Sequence, residues 1–145
     1  MAKSKKDATN PIEFIDRYYE IKEKYRGHKS IYKDGSQSDH RAAAAAVMDE
    51  RVYSERLPNC SSIFSAELHV LFLALDHVET DFSHNFIIFS DSKSALESLK
   101  SKDWTNPLVL KILERHHYLW TVCDKIIIYC WVPSHIGIQG NELAD

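Results

Sequence analysis

The stretch NFIIFSDSKSALESLK, residues 85–100, decides the fold. Phe86-Ile87-Ile88-Phe89 is apolar without interruption and rich in aromatic and β-branched residues. A half-exposed strand would alternate. This one needs cover on both faces, which is the mark of a strand inside a parallel sheet sandwiched by helices. The segment SKSALESLK (92–100) follows at once with a helical pattern, so strand and helix meet at Asp91. Open sheets of this kind place their sites at the carboxyl ends of parallel strands. Asp91 therefore stands where chemistry is expected.

Working outward, KIIIYCWVP (125–133) is a second strand of the same apolar type. NPLVLKILERHHYLWTVC (106–123) is a helix between the two, with Pro107 near its start. Upstream, SSIFSAELHVLFLALDHVET (61–80) is a long helix. Ser62 suits its cap, and Phe64, Leu68, Leu71, Phe72 and Leu75 recur at three- and four-residue steps. SIYKDG (30–35) reads as a short strand ending in a turn. In RAAAAAVMD (41–49) five alanines favour helix by propensity. The run is short, however, and RVYSERLP (51–58) follows with strand-like alternation. The reading adopted is a strand pair turning at Asp49-Glu50. SHIGIQGNELAD (134–145) is a loop with two glycines entering a final helix.

The order is β-β-β-α-β-α-α-β-α. It predicts an α/β fold: a five-stranded mixed sheet, an antiparallel meander of three strands plus two parallel ones, flanked by helices on both faces. Residues 1–10 are polar and basic. Residues 11–28 carry Ile12, Phe14, Ile15, Tyr18, Tyr19 and Ile21 mostly on one helical face, ended by Gly27. Residues 1–28 are read as a basic tail and leader helix or linker, and residues 29–145 as the domain proper.

Composition narrows the function classes. A chain of 145 residues with 44% apolar content holds one domain with a hydrophobic core. Its net charge of −3 argues against binding nucleic acid through a broad basic surface. It does not exclude a nucleic-acid enzyme, because a carboxylate site with divalent cations reverses the charge locally. Cys60, Cys123 and Cys130 lack C-x-x-C spacing and read as free thiols of a reducing compartment. No apolar run reaches the roughly 18 residues of a membrane span, and no apolar signal core follows the basic start. The expected setting is intracellular, cytoplasm or nucleus, as a monomer without a membrane partner.

The informative feature is where three acids fall. Asp34 closes the first strand, Asp91 closes the fourth, and Glu67 lies about one turn into the long helix. If the first and fourth strands are neighbours, both strand-end acids share one edge of the sheet. Glu67 reaches the same place from above, and Asp145 from the last helix. Clustered carboxylates repel unless a cation joins them. All-oxygen sites suit Mg²⁺ or Mn²⁺. Two such ions are the usual apparatus for displacement at a phosphodiester.

Four motifs now stand in order. Asp34-Gly35-Ser36, Ala66-Glu67-Leu68 and Ser90-Asp91-Ser92 are followed by Trp131-Val132-Pro133-Ser134-His135-Ile136-Gly137-Ile138-Gln139-Gly140-Asn141-Glu142-Leu143-Ala144-Asp145. Together they resemble type 1 ribonuclease H over residues 30–145, in the form carried by non-LTR (LINE-type) retrotransposon polyproteins. The resemblance implies endonucleolytic hydrolysis of the RNA strand of RNA/DNA hybrids by two Mg²⁺ ions, with Mn²⁺ as substitute. The products would be a 5′-phosphate and a 3′-hydroxyl. It implies Asp34, Glu67, Asp91 and Asp145 as metal ligands and His135 as an aid to proton movement or product release. Gly35, Ser36, Ser92, Lys93 and Asn141 become candidate substrate contacts, and a reverse transcriptase domain becomes a candidate companion in a parent polyprotein.

Three departures from the family pattern stand out. Lys33 replaces the usual Thr beside the first acid. Ile63 and Phe64 replace polar amides that touch RNA in bacterial and vertebrate enzymes. The sequence stops at Asp145, within what the family has as a longer final helix, which leaves the fourth acid on a fraying end. The alternative is accordingly a truncated, catalytically weak or inactive retroelement domain that only binds nucleic acid. An exonuclease or integrase of the same fold is disfavoured by the last motif. Elsewhere the plain readings prevail. His116-His117 point about 100° apart on a helix, so one packed and one exposed ring is expected rather than a metal pair. Trp104, Trp120 and Trp131 are expected to pack in core or loops, and Lys93, Lys100 and Lys102 are as well explained by a solvated face as by a hybrid backbone.

Overall fold

A computed structural model describes the backbone of residues 11–38, 41–48, 51–57 and 62–133, and the side chains of 16–32 and 62–133. The elements run α1 (Pro11–Lys24), β1 (Lys29–Ser38), β2 (Arg41–Met48), β3 (Arg51–Leu57), α2 (Ile63–Thr80), β4 (Asn85–Ser90), α3 (Lys93–Lys100), α4 (Pro107–Thr121) and β5 (Ile126–Trp131). The strand order is β3-β2-β1-β4-β5. Strands β1, β4 and β5 are parallel, with Ile31 opposite Ile88 and Ile88 opposite Tyr129. Strand β2 is antiparallel to both β1 and β3. The alanine run is thus a strand: Ala44 has Gly35 on one side and Glu55 on the other. Ladder partners on both edges outweigh a local helix preference in so short a segment.

The period-two geometry of β4 explains its apolar run. Phe86 and Ile88 join Ile31 and Ile127 in a core covered by α2, α3 and α4. Ile87 and Phe89 join Tyr32 and Val132 on the other face, where Tyr18 of α1 seals them. The Tyr18 ring meets Phe89 edge-on at 5.1 Å, and its hydroxyl is hydrogen-bonded to that of Tyr32. Burial and then this bond push the Tyr18 phenol well above its usual pKa. The helix read from sequence as a leader therefore packs on the sheet.

Helix starts follow side-chain chemistry. Ser62 Oγ accepts the Ser65 N–H at 3.0 Å, and Asn106 Oδ1 accepts that of Leu108 at 2.9 Å. Pro107 takes the first turn of α4, where no N–H is needed. Of the paired histidines, His116 packs inward with Nδ1 2.8 Å from the Tyr129 hydroxyl, and His117 is exposed. The tryptophan expectation needs correction: Trp104 and Trp120 are 70% and 57% exposed and pack into no core. Cys123 and Cys130 are free thiols. Among the described residues no helix is long and apolar enough to cross a membrane. The Asp49-Glu50 turn, Cys60, residues 1–10 and the final helix lie outside the described residues.

The amino-end edge of the parallel strands is held by two lysines. Lys125 is buried and donates to the Asp81 and Ser83 carbonyls, each at 2.5 Å. Lys29 donates to Asp81 Oδ2 at 2.6 Å. Burial alone would raise the Asp81 carboxyl, but hydrogen bonds from Lys29 and Ser83 outweigh it and hold the pKa below 3.8. A lowered folded-state pKa gives stability that is complete above the unfolded value and fades as pH falls through the folded one. Thermal unfolding between pH 5 and pH 2 should show a loss below about pH 4 in the parent protein. Lys29→Met should be less stable at pH 5 and lose less on acidification. An identical pH profile for both proteins would contradict the assignment.

Candidate active site

The site is built on the junction of two neighbouring parallel strands. The last matched pair between β1 and β4 is Lys33 opposite Ser90. Asp34 and Asp91 each follow one residue later, so the backbone sets them side by side where the β1–β4 pairing ends; Asp34 does not close β1 as the sequence suggested, because pairing with β2 carries the strand on to Ser38. Glu67 lies in the second turn of α2 and is 6% exposed, between Ala66 and Leu68 in the core. Helix α2 packs across β1 and β2. The first three sequence-predicted acids therefore belong to adjoining elements. His135, Asn141 and Asp145 lie outside the described residues. Of Asp34, Gly35 and Ser36, only the backbone is described.

The Ser90-Asp91-Ser92 motif has a mechanical explanation. Ser90 is fully buried, and its Oγ accepts the Ser92 N–H at 3.0 Å. Ser92 Oγ in turn accepts the Ala95 N–H at 3.4 Å and caps α3. The two hydroxyls bend the chain from strand into helix, with Asp91 at the apex. Two contacts from the end of β5 and the residue after it complete the support. The Val132 N–H donates to the Ser90 carbonyl at 2.8 Å, and Trp131 Nε1–H donates to the Asp91 carbonyl at 3.2 Å. Asp91 Oδ1 is removed from solvent. Lys93 is exposed, its ammonium 5.8 Å from the centre of the Trp131 ring.

Sequence reasoning missed Ser90 and Trp131. Trp131 was read as packing, yet its indole fixes the main chain of a site residue. An indole-to-carbonyl bond 40 positions away in sequence leaves no local pattern.

Asp34, Glu67 and Asp91 are hard-oxygen donors by residue type, a chemistry that suits a divalent cation such as Mg²⁺ better than zinc. Among the described residues no three side chains form a metal cluster. That set includes Glu67 and Asp91 only. A carboxylate buried as deeply as Glu67 requires compensation by a donor, a proton or a cation.

The family model for RNase H matches residues 26–145. The chain belongs to the RNase H family. It is a type 1 ribonuclease H domain with the family's α/β fold. Domains of this family bind RNA/DNA hybrids, cleave the RNA in them and generally use divalent cations such as Mg²⁺.

Trp131 Nε1–H holds the Asp91 carbonyl, so if Asp91 binds metal, Trp131 would be a positioning residue. Trp131→Phe keeps the ring and removes the N–H. Hybrid cleavage should fall roughly tenfold, with a rise in the Mg²⁺ concentration for half-maximal rate, as when an outer-shell partner of a metal site is lost. Thermal stability should change little. A change in stability without any shift in the Mg²⁺ response would make the residue merely structural.

Proposed function

We propose that this domain hydrolyses the RNA strand of RNA/DNA hybrids endonucleolytically, leaving 5′-phosphate and 3′-hydroxyl ends. The observation that carries the reading is the β1–β4 register, which ends in two adjacent acids beneath a helix that buries a third. Asp34, Glu67, Asp91 and Asp145 would hold two Mg²⁺ ions, with Mn²⁺ able to replace them. Bound there, the cations supply Lewis acidity for the attacking water and for the departing 3′ oxygen.

The chain's own residues do the rest. Asp34, within β1, and Asp91, just past β4, would hold the cations on rigid backbone, so that little reorganisation is needed when the scissile phosphate arrives. His135 relays a proton between solvent and the reacting oxygens. Gly35, Ser36, Ser92, Lys93 and Asn141 hold the sugar-phosphate backbone. The hybrid is recognised by its minor-groove shape and 2′-hydroxyls, not by sequence. Ile63, 59% exposed at the start of α2, offers RNA no polar contact, so affinity must come from other residues. The retrotransposon form of the four motifs supports an origin beside a reverse transcriptase in a longer polyprotein, acting inside the cell.

One observation favours a weaker second reading. Lys33 stands opposite Ser90, immediately before the paired acids. A lysine in place of the family's usual threonine, one residue before Asp34, would suit a domain that binds nucleic acid but cuts it slowly or not at all.

A labelled hybrid incubated with Mg²⁺ or Mn²⁺ separates these readings. Cleavage of the RNA strand is expected, with none of duplex DNA. Asp91→Asn should lower the rate more than about 100-fold, beyond the usual cost of an outer-shell change. Activity that survives Asp91→Asn would overturn the assignment. An inactive parent chain that Lys33→Thr makes active would establish the second reading.

A further inference from the structure

We propose that the groove between α3, α4 and β5 is a second nucleic-acid subsite, for an unpaired strand extending from the hybrid past Asp91. The proposal rests on the ribonuclease reading above. The groove encloses about 650 Å³, within the range of about 300–1,000 Å³ that holds small organic groups. Its walls are apolar, from Leu96, Ile112, Leu113 and Ile127, with the Tyr129 and Trp131 rings added. Its charged rim is three lysines, Lys93, Lys100 and Lys102, against one acid, Glu97, a local balance of +2. The whole chain carries −3, so the groove runs against the trend of the molecule. Burial, and then His117, lower the His116 pKa, which favours its neutral form.

Apolar walls under a cationic rim match a single strand. Unpaired bases offer π-faces to aromatic and aliphatic side chains while phosphates meet the lysines. A duplex keeps its base faces stacked inside and presents phosphates, sugars and groove edges, so it has no π-face to set against an apolar interior. Lys93 and Lys100 stand at the two ends of α3, whose eight residues span about 12 Å, the spacing of roughly three phosphates, and Lys102 follows two residues beyond it.

Two further features bear on this groove. Lys102 has φ 54°, in the left-handed region. It terminates α3 by donating its N–H to Leu99 O at 3.2 Å while Asp103 N–H reaches Ser98 O at 3.1 Å, a helix stop that normally takes glycine. A lysine held there at a conformational cost places a cation on the rim where glycine would be less strained. Two residues on, Trp104 is 70% exposed, an aromatic surface in the same loop. The groove also shares a wall with the active site, since Trp131 lines it and holds the Asp91 carbonyl.

The test is fluorescence anisotropy in chelator, where nothing is cut, using one blunt hybrid and hybrids with about ten extra unpaired nucleotides. Separate arms place the extension on the RNA or the DNA strand, at either end. One arm should bind roughly tenfold tighter than the blunt hybrid, the effect of about one stacked base. Lys100→Glu with Lys102→Glu should abolish that gain and leave blunt-hybrid cleavage within about twofold. Leu96→Trp, which fills the groove without changing charge, should do the same, with thermal melts confirming the fold. Blunt hybrid bound and cut normally, with no gain from any extension, overturns this proposal and spares the ribonuclease reading. A gain that survives both variants overturns it too. A dimer in light scattering that Leu96→Trp breaks would assign the groove to a second copy and overturn it. Binding of neither blunt nor extended hybrid overturns both readings.

Discussion

Everything in this domain depends on the parallel pairing of β1 with β4. The pairing sets the backbone of Asp34 beside that of Asp91 where the β1–β4 ladder ends. Like charges brought close are unfavourable without a cation or a proton. The rest of the fold supplies the rigidity to hold them there. Apolar side chains of β4 are covered on both faces, by α2, α3 and α4 on one side and by Tyr18 of α1 on the other. The amino-end edge is fastened separately, by Lys29 and Lys125 on the loop after α2. Structural charges thus gather at one edge of the sheet and the site acids at the other.

The support of Asp91 shows how backbone chemistry becomes site geometry. A buried serine hydroxyl turns the strand, a second serine starts the helix, and an indole from the next strand fixes the carbonyl between them. None of these groups carries the charge of the site. Each removes a way for that charge to move. In the RNase H family, whose reaction turns on positioning a phosphate against hard cations, such restraint is a direct contribution to rate.

Much of this was legible in the sequence, for physical reasons. The uninterrupted apolar run Phe86–Phe89 announced a strand buried on both faces, and the abrupt change to SKSALESLK announced the switch at Asp91. Ser62 and Pro107 marked helix starts because capping is local. The alanine run was harder, since its strand state comes from partners on β1 and β3, not from its own preference. Trp131 was misread in role, because a bond to a carbonyl 40 residues away has no periodicity. Trp104 and Trp120 were expected to pack, yet burial of a single ring at a loop or helix end is settled by tertiary neighbours. The metal-ligand roles of the acids came from motif resemblance, and the register supplies their adjacency only at the backbone.

The central proposal is that Asp34 and Asp91, adjacent in the backbone where the β1–β4 pairing ends, hold a divalent cation. The unfolding midpoint measured with and without Mg²⁺ tests it most directly. The parent protein should gain stability with Mg²⁺, by about 2.7 kcal/mol at 100 times the dissociation constant. Asp34→Asn and Asp91→Asn should each be at least as stable as the parent in chelator and lose the Mg²⁺ response. Variants that are destabilised in chelator yet stabilised by Mg²⁺ as much as the parent would contradict the account.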